Sequence, residues 1–491
     1  MTAARETIGR RSRGSRRRAL LAGSAVGAAA LMLAACGGGS SSSGGATSGG
    51  GPGTTSGGGG GAGGGTIATG NNAASSGKGT VNITWWNMWS GAPATLSKQM
   101  AAQYNSSQSK IHVTVLNVPS ADGDAKLLSA IAAGDPPDLF TEWNPTIGED
   151  AQTGAIQSFK QFETGKYANI QKWMYPVVAD GGLYKGNLYA IPMSMNSEAL
   201  YYNKSIMKAA GITSPPKTLA QLNADQAKEW KISGSHLEQI GFYPLPTSAG
   251  GGDLQTFGPY FGVKGLGYEH GKYDLTSQPG ALAEVKWMQS FNKYPYSSIS
   301  ALNAAYGNVA GGAEDPFSMG KQGFTLNGIW EAATNIPASN PAMKNNFGIE
   351  PFPAAKGGVA KSGSYINGNY NIIPKGAKHG QQAFQFIAWL AGFDNPGIVN
   401  YYPKGGWMPT SPQLAATSTF KAWEKRVPYV KTFVGLMLDK TSQAVPLTPA
   451  ESEYFTANGV ALQNLATKKT SPMAALSYVD KQANAELAKS K

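Results

Sequence analysis

Between residues 81 and 143 the chain alternates three β-rich stretches with two helix-patterned ones, and that alternation leaves few folds open. The runs "VNITWW" (81–86), "KIHVTVLNV" (110–118) and "PDLFTEW" (137–143) carry the apolar and β-branched content of strands. Between them, 92–105 reads as a helix with Ser90 as N-cap and Pro93 near N1, and 121–133 places Leu127, Leu128 and Ile131 on one helical face. Strand–helix–strand units spaced this closely predict an open, mostly parallel sheet with crossover helices.

The rest of the chain extends the pattern without an internal repeat. Over 182–211 a hairpin with its turn at 185–187, then an extended run and a helix are expected. Helices are expected at 218–230, 278–293, 380–391, 449–467 and 473–488, where Phe384 and Trp389 fall on a core face. The strand in "KQGFTLNGIW" (321–330) breaks at Asn327–Gly328 into a helix. From 80 to 491 the chain is too long for one compact core, so two α/β lobes are expected.

The first eighty residues belong to neither lobe. Seven arginines stand against one acid in 5–18, and an apolar run then ends at Cys36, the only cysteine in the chain. The run has the length of a signal-peptide core and is too short for a membrane span. The stretch "LAAC" (33–36) resembles the lipobox of bacterial lipoproteins, which implies lipidation of Cys36 and an anchor at the extracytoplasmic face of the membrane. "SRRRALL" resembles a twin-arginine signal, and general secretion stays open beside it. From Gly37 to Gly65, 17 of 29 residues are glycine, a composition that cannot bury enough apolar surface to order itself. Residues 36–79 are therefore expected to be a flexible tether with a reach of roughly 35 Å.

Without residues 1–35 the net charge of +12 falls to +6, spread over scattered lysines. Nucleic-acid binding, which needs a concentrated basic patch, is not expected. The four histidines, His112, His236, His270 and His379, stand far apart, so no metal site and no cofactor is expected. Neither a nucleophile elbow nor a phosphate-binding loop occurs. The acid pairs Glu149/Asp150 and Glu314/Asp315 are expected on polar, solvated loops.

Ligands of open α/β sheets collect beyond the C-terminal strand ends, and here those ends carry indoles with amide or carboxylate neighbours. Trp86, Asn87 and Trp89 end the first strand, Glu142 and Trp143 the third, and Asn327 and Trp330 the strand "GFTLN". Asn369 in "NGNY" and Trp407 in "GGWMP" join these candidates. Trp85, on the opposite face from Trp86, is expected in the core. Asp135 and Asp138 in "GDPPD" are expected to shape a turn, and Tyr202 and Tyr260 are weaker candidates. Flat indoles cover the C–H faces of a pyranose, while Asn, Asp and Glu satisfy its hydroxyl belt.

In order along the chain, "ITWWNMW", "AGDPPDLFTEW", "KGNLYAIPMSMNSEALYYNK", "MGKQGFTLNGIW" and "KGGWMPTSPQL" resemble the extracellular solute-binding proteins of ABC importers, sugar-binding group, like the maltose-binding protein. The resemblance covers 80–491. It implies a two-lobed periplasmic-binding-protein-like fold, with one lobe from 80–195 plus 354–419 and the other from 196–353 plus 420–491. It further implies a monomer that binds a carbohydrate in the inter-lobe cleft without turning it over and delivers it to a membrane permease. Trp330 matches the position where the family stacks an aromatic on sugar. A surface polysaccharide-degrading enzyme and a glycan-docking lipoprotein stay open as other readings.

Overall fold

The computed structural model describes residues 79–490, apart from 119, 144–145, 235, 245–252, 295–314 and 356–362. The export-like segment, Cys36, the glycine-rich tract and Glu314 lie outside the described residues.

β1 (Val81–Asn87) buries Ile83, Trp85 and Asn87 and exposes Asn82 and Thr84, the two-residue period its sequence dictates. Then follow α1 (Gly91–Ser107), β2 (Ile111–Asn117), α2 (Ser120–Ala132), β3 (Leu139–Trp143) and α3 (Ile147–Thr153). β1 lies parallel between β2 and β3, with Val81 opposite Ile111 and Trp85 opposite Leu139. Asp138 fastens the entry to β3, as its turn sequence suggests: its carboxylate accepts from Thr84 N (2.9 Å) and from His379 N (3.0 Å).

Beyond β3 the sheet changes character. Strand Tyr365–Ile372 pairs antiparallel with β3 on one side and with the long strand Ile191–Asn203 on the other. Eight strands in all make a mixed sheet, parallel around β1 and antiparallel around Ile191–Asn203. The first half of the long strand pairs with Tyr365–Ile372, and from Glu198 onward it pairs with Phe324–Gly328 and Phe347–Glu350. Leading into it, Leu183–Tyr184 and Asn187–Leu188 form the expected hairpin. Lys185 and Gly186 both take positive φ, as a two-residue turn of this hand requires.

Buried side chains sort into two large clusters. One is built on β1–β3, α1 and helix Gly380–Leu390, where Phe384 and Trp389 are buried. Helices Ser418–Arg426 and Pro428–Leu438, which the sequence pattern did not single out, bury Phe420, Trp423, Val430 and Phe433 in this same cluster. The other is built on helices Leu254–Phe261, Pro279–Ser290, Glu451–Ala466 and Pro472–Lys489. The long strand serves both, sending Met195 and Tyr201 to the first and Leu200 to the second. No described helix is long and apolar enough to cross a membrane.

Two acids expected in solvated loops are buried instead. Asp150 sits inside α3 with its side chain turned inward, and Asp315 accepts hydrogen bonds from the backbone N–H groups of Phe317 and Ser318. Adjacency in sequence gave no sign that each faces protein.

Candidate ligand-binding site

Trp89 stands just past the end of β1. Its Nε1 donates to Asn369 Oδ1 (3.3 Å), and its ring centroid lies 5.4 Å from that of Trp407, the planes tilted by 32°. Trp85 is fully buried, as its place on the strand predicts, and meets Trp89 edge-on at 6.1 Å. A core indole thus steadies one at the rim. Asn369 occupies a β-bulge, where register with the long strand slips before Tyr370; such a slip re-aims a side chain. Its Nδ2 donates to Ser194 Oγ (2.9 Å), so both ends of the amide are fixed.

Trp330 projects from the junction where strand Phe324–Gly328 turns directly into a helix. Its indole folds back over Gly328, where even a methyl group would lie 1.9 Å from the ring. The junction is clamped from inside by Glu331, which accepts from Asn327 Nδ2 (3.0 Å), Asn335 Nδ2 (2.9 Å) and the Ser318 hydroxyl. Burial, and next the neighbouring Asp315, hold the Glu331 carboxyl well above its usual range. The helix widens into a π turn at Glu331–Asn335, just before Pro337, whose ring would strike the carbonyl of residue 333 in a regular α-helix.

These elements bring Trp89, Trp330, Trp407 and Asn369 around one cavity of about 530 Å³. The first turn of α1 makes another wall. The Ser90 side chain forms no capping hydrogen bond and that turn holds no acid. Trp407, a candidate from its glycine-flanked loop, is buried in the first cluster and shows the cavity only part of its ring.

Sequence reasoning missed Asn196, Thr334 and Asn335, which line the same cavity. Asn196 is 8% exposed, and its Oδ1 accepts no hydrogen bond among the described residues. Its one sequence signal is that "SMNSE" interrupts a long strand with polar residues where a buried strand would be apolar. The fifteen residues lining this cavity include three indoles and three asparagines and carry no charge. The chemistry fits a neutral, polar, ring-shaped ligand.

The other candidates do not join them. Trp86 points to the face opposite Trp85, flanked in register by Leu116 and Phe140, and lines neither this cavity nor the next one. Asn87 is fully buried and shapes the turn: its Oδ1 accepts from Trp89 N (3.3 Å) and from Asn117 Nδ2 (2.6 Å). Asn327 is spent on Glu331 and on Gly328 N, which donates to its Oδ1 (2.9 Å). Of the weaker candidates, Tyr260 is a core residue of the second cluster, while Tyr202 is partly buried against it.

Glu142 and Trp143 line a second cavity of about 220 Å³, together with Asp124, Thr146 and Phe455. Met88 lies on the wall of both cavities. Thr146 Oγ1 donates to Glu142 Oε2 (2.8 Å). Burial, reinforced by Asp150 and Asp124, holds the Glu142 carboxyl well above its ordinary range, and burial likewise pushes Asp150 up to about 7.

Two buried cores joined by a shared strand, beside an uncharged cavity rich in indoles, define an α/β binding protein. Residues 99–428 match the family of bacterial extracellular solute-binding proteins, and the chain belongs to that family. It is thus a solute-binding protein and not an enzyme. Among solved structures it is similar to CpMnBP1 with mannotriose bound, at 29% identity and a TM-score of 0.72, over 82% of this chain and all of that one. It is 25% identical over 340 residues to the maltotriose-binding protein of Pyrococcus abyssi, covering 66% of this chain and 65% of that relative's length. It is 24% identical over 321 residues to the diacetylchitobiose binding protein DasA of Streptomyces coelicolor, covering 65% of this chain and 71% of the relative.

Proposed function

We propose that the chain is a lipid-anchored extracytoplasmic receptor that binds an oligosaccharide and hands it to an ABC permease. The carrying observation is the 530 Å³ cavity, where three indoles and three asparagines meet without a charged side chain. Relatives named for maltotriose and diacetylchitobiose, and a similar structure holding mannotriose, favour a glycan over other neutral solutes. Trp89 and Trp330 stack on the sugar, Asn196, Asn335 and Asn369 bind its hydroxyls, and Trp407 backs the stack. A maltooligosaccharide-binding lipoprotein of an ABC transporter in Streptococcus pneumoniae, 22% identical over 342 residues, supports the anchor and the permease partner. Cys36 carries the lipid, and residues 37–79 give the folded part its reach. The two core clusters support a division into two lobes, but the first also takes in Tyr201, Phe317, Ile329 and Phe347, which the expected boundaries of 80–195 plus 354–419 and 196–353 plus 420–491 assign to the second. The burial of Phe420, Trp423 and Phe433 with the first cluster favours moving the last boundary past 438.

Titration calorimetry and thermal melting against mannotriose, maltotriose and diacetylchitobiose test the reading. A saturating ligand raises stability by about 2.7 kcal/mol at a hundred times its Kd. Absence of both heat and stabilisation across neutral oligosaccharides would reject the sugar assignment. For the anchor, Cys36→Ser is expected to move the protein from the membrane fraction to the soluble one. Continued membrane retention would reject lipidation at that residue.

A further inference from the structure

The second cavity differs from the first in charge. It lies where β3, α2 and α3 meet helix Glu451–Ala466, and Met88 connects its wall to the neutral cavity. Glu142 is 2% exposed. Its Oε2 is satisfied by Thr146, but its buried Oε1 has no partner among the described residues. Asp124 lines the same cavity, and Asp150 is close enough to act on Glu142 through its charge. No lysine, arginine or histidine is among the lining residues to balance them. The rings of Trp143 and Phe455, which line the same cavity, lie 5.1 Å apart at 58°.

A carboxylate oxygen with no partner, a second acid and two aromatic faces are the components that hold an organic cation. Charge-assisted hydrogen bonding acts on one side and cation–π attraction on the other. A metal ion fits poorly, because no group of three acids, histidines or cysteines among the described residues is arranged to hold one. A space on the scale of one monosaccharide unit, beside a site for neutral rings, suits a substituent on the same ligand.

We propose that this cavity takes a protonated primary amine borne by the oligosaccharide, so that the ligand is an amino sugar whose neutral part stacks on Trp89 and Trp330. The proposal rests on the sugar reading and adds the chemical class of the ligand. The ammonium donates to Glu142 Oε1 and supplies the positive charge that the lining residues lack. Burial raises the Glu142 carboxyl above its ordinary range, and the entering ammonium favours the carboxylate form, so a proton on it passes to solvent.

The test is calorimetry on the full-length chain in detergent, at about pH 6, with chitobiose bearing free amines and with its diacetylated form. The amine form is expected to bind at least tenfold tighter. In Glu142→Gln, and separately in the more exposed Asp124→Asn, that ratio is expected to fall at least threefold. Equal affinities, or a preference for the acetylated form, would overturn the amine subsite while leaving the sugar reading intact. Binding of neither form, nor of any neutral oligosaccharide, would remove the sugar reading and this proposal with it. Putrescine binding as tightly as the amino sugar would overturn the placement of the amine on a glycan.

Discussion

Gly406 lies against the backbone of Trp330, so closely that a methyl group on it would stand 2.5 Å from Trp330 Cα. Gly406 also holds φ at +65°, a conformation that L side chains rarely adopt. Gly406→Ala therefore carries both backbone strain and a clash, costing about 1–3 kcal/mol of stability. Because relief of the clash shifts Trp330, glycan affinity is expected to fall as well. Denaturant unfolding and calorimetry on the same variant check both effects, and an unchanged affinity would mean that Trp330 is not positioned through this contact.

The three indoles of the neutral cavity are expected to separate by what their loss damages. Trp330→Ala and Trp89→Ala should weaken oligosaccharide binding by roughly 1–3 kcal/mol through lost stacking area. Trp407, only 3% exposed, is part of the first core. Trp407→Ala is expected to destabilise the fold by about 3–5 kcal/mol. Paired melting and binding curves distinguish the two patterns.

Asn196 tests whether a buried acceptor is kept for the ligand. Its Oδ1 has no partner among the described residues, so Asn196→Ala removes no internal hydrogen bond through that atom. The expected outcome is a loss of about 1–3 kcal/mol in binding with a smaller change in stability. A loss confined to stability would assign Asn196 to the fold.

Stability should fall as pH rises above the carboxylate range. Burial is the main cause that pushes Asp150, Glu451 and Glu229 up to about 7, 8 and 9. Unfolded, the same groups titrate near 4. Between the two values the folded chain binds more protons than the unfolded one, so stability is full below the lower value and drains away up to the higher. Each group contributes a slope of at most ~1.4 kcal/mol per pH unit. The melting temperature is expected to drop between pH 5 and pH 8, and Glu451→Gln should flatten part of that drop. A melting temperature that rises over this interval would contradict the assignment.

The local pattern was legible where periodicity is the governing physics. β1, β3 and the long C-terminal helices fall close to where apolar spacing and caps predict, and Trp85 is core because alternation leaves it no other face. The rule that strand ends share one rim pointed to Trp89 and Trp330, while Trp407 and Asn369 came from the motifs "GGWMP" and "NGNY"; all four line one cavity. Trp86, Asn87 and Asn327 stand at the same ends, yet alternation along β1 turns Trp86 away, and the two amides are consumed by turn and clamp, which their positions in sequence do not show. Asn196 was overlooked for the opposite reason, its only sequence signal being the polar run "SMNSE". It lies in mid-strand, where position suggests packing, and what marks it is a hydrogen bond it does not make.

Strand Ile191–Asn203 pairs with Tyr365–Ile372 over one half and with Phe324–Gly328 and Phe347–Glu350 over the other, and its side chains enter both clusters. The two clusters thus share one strand as a common backbone. Pairing lost at one end of that strand is therefore expected to loosen the backbone at the other, which ties the opening of one half to its neighbour.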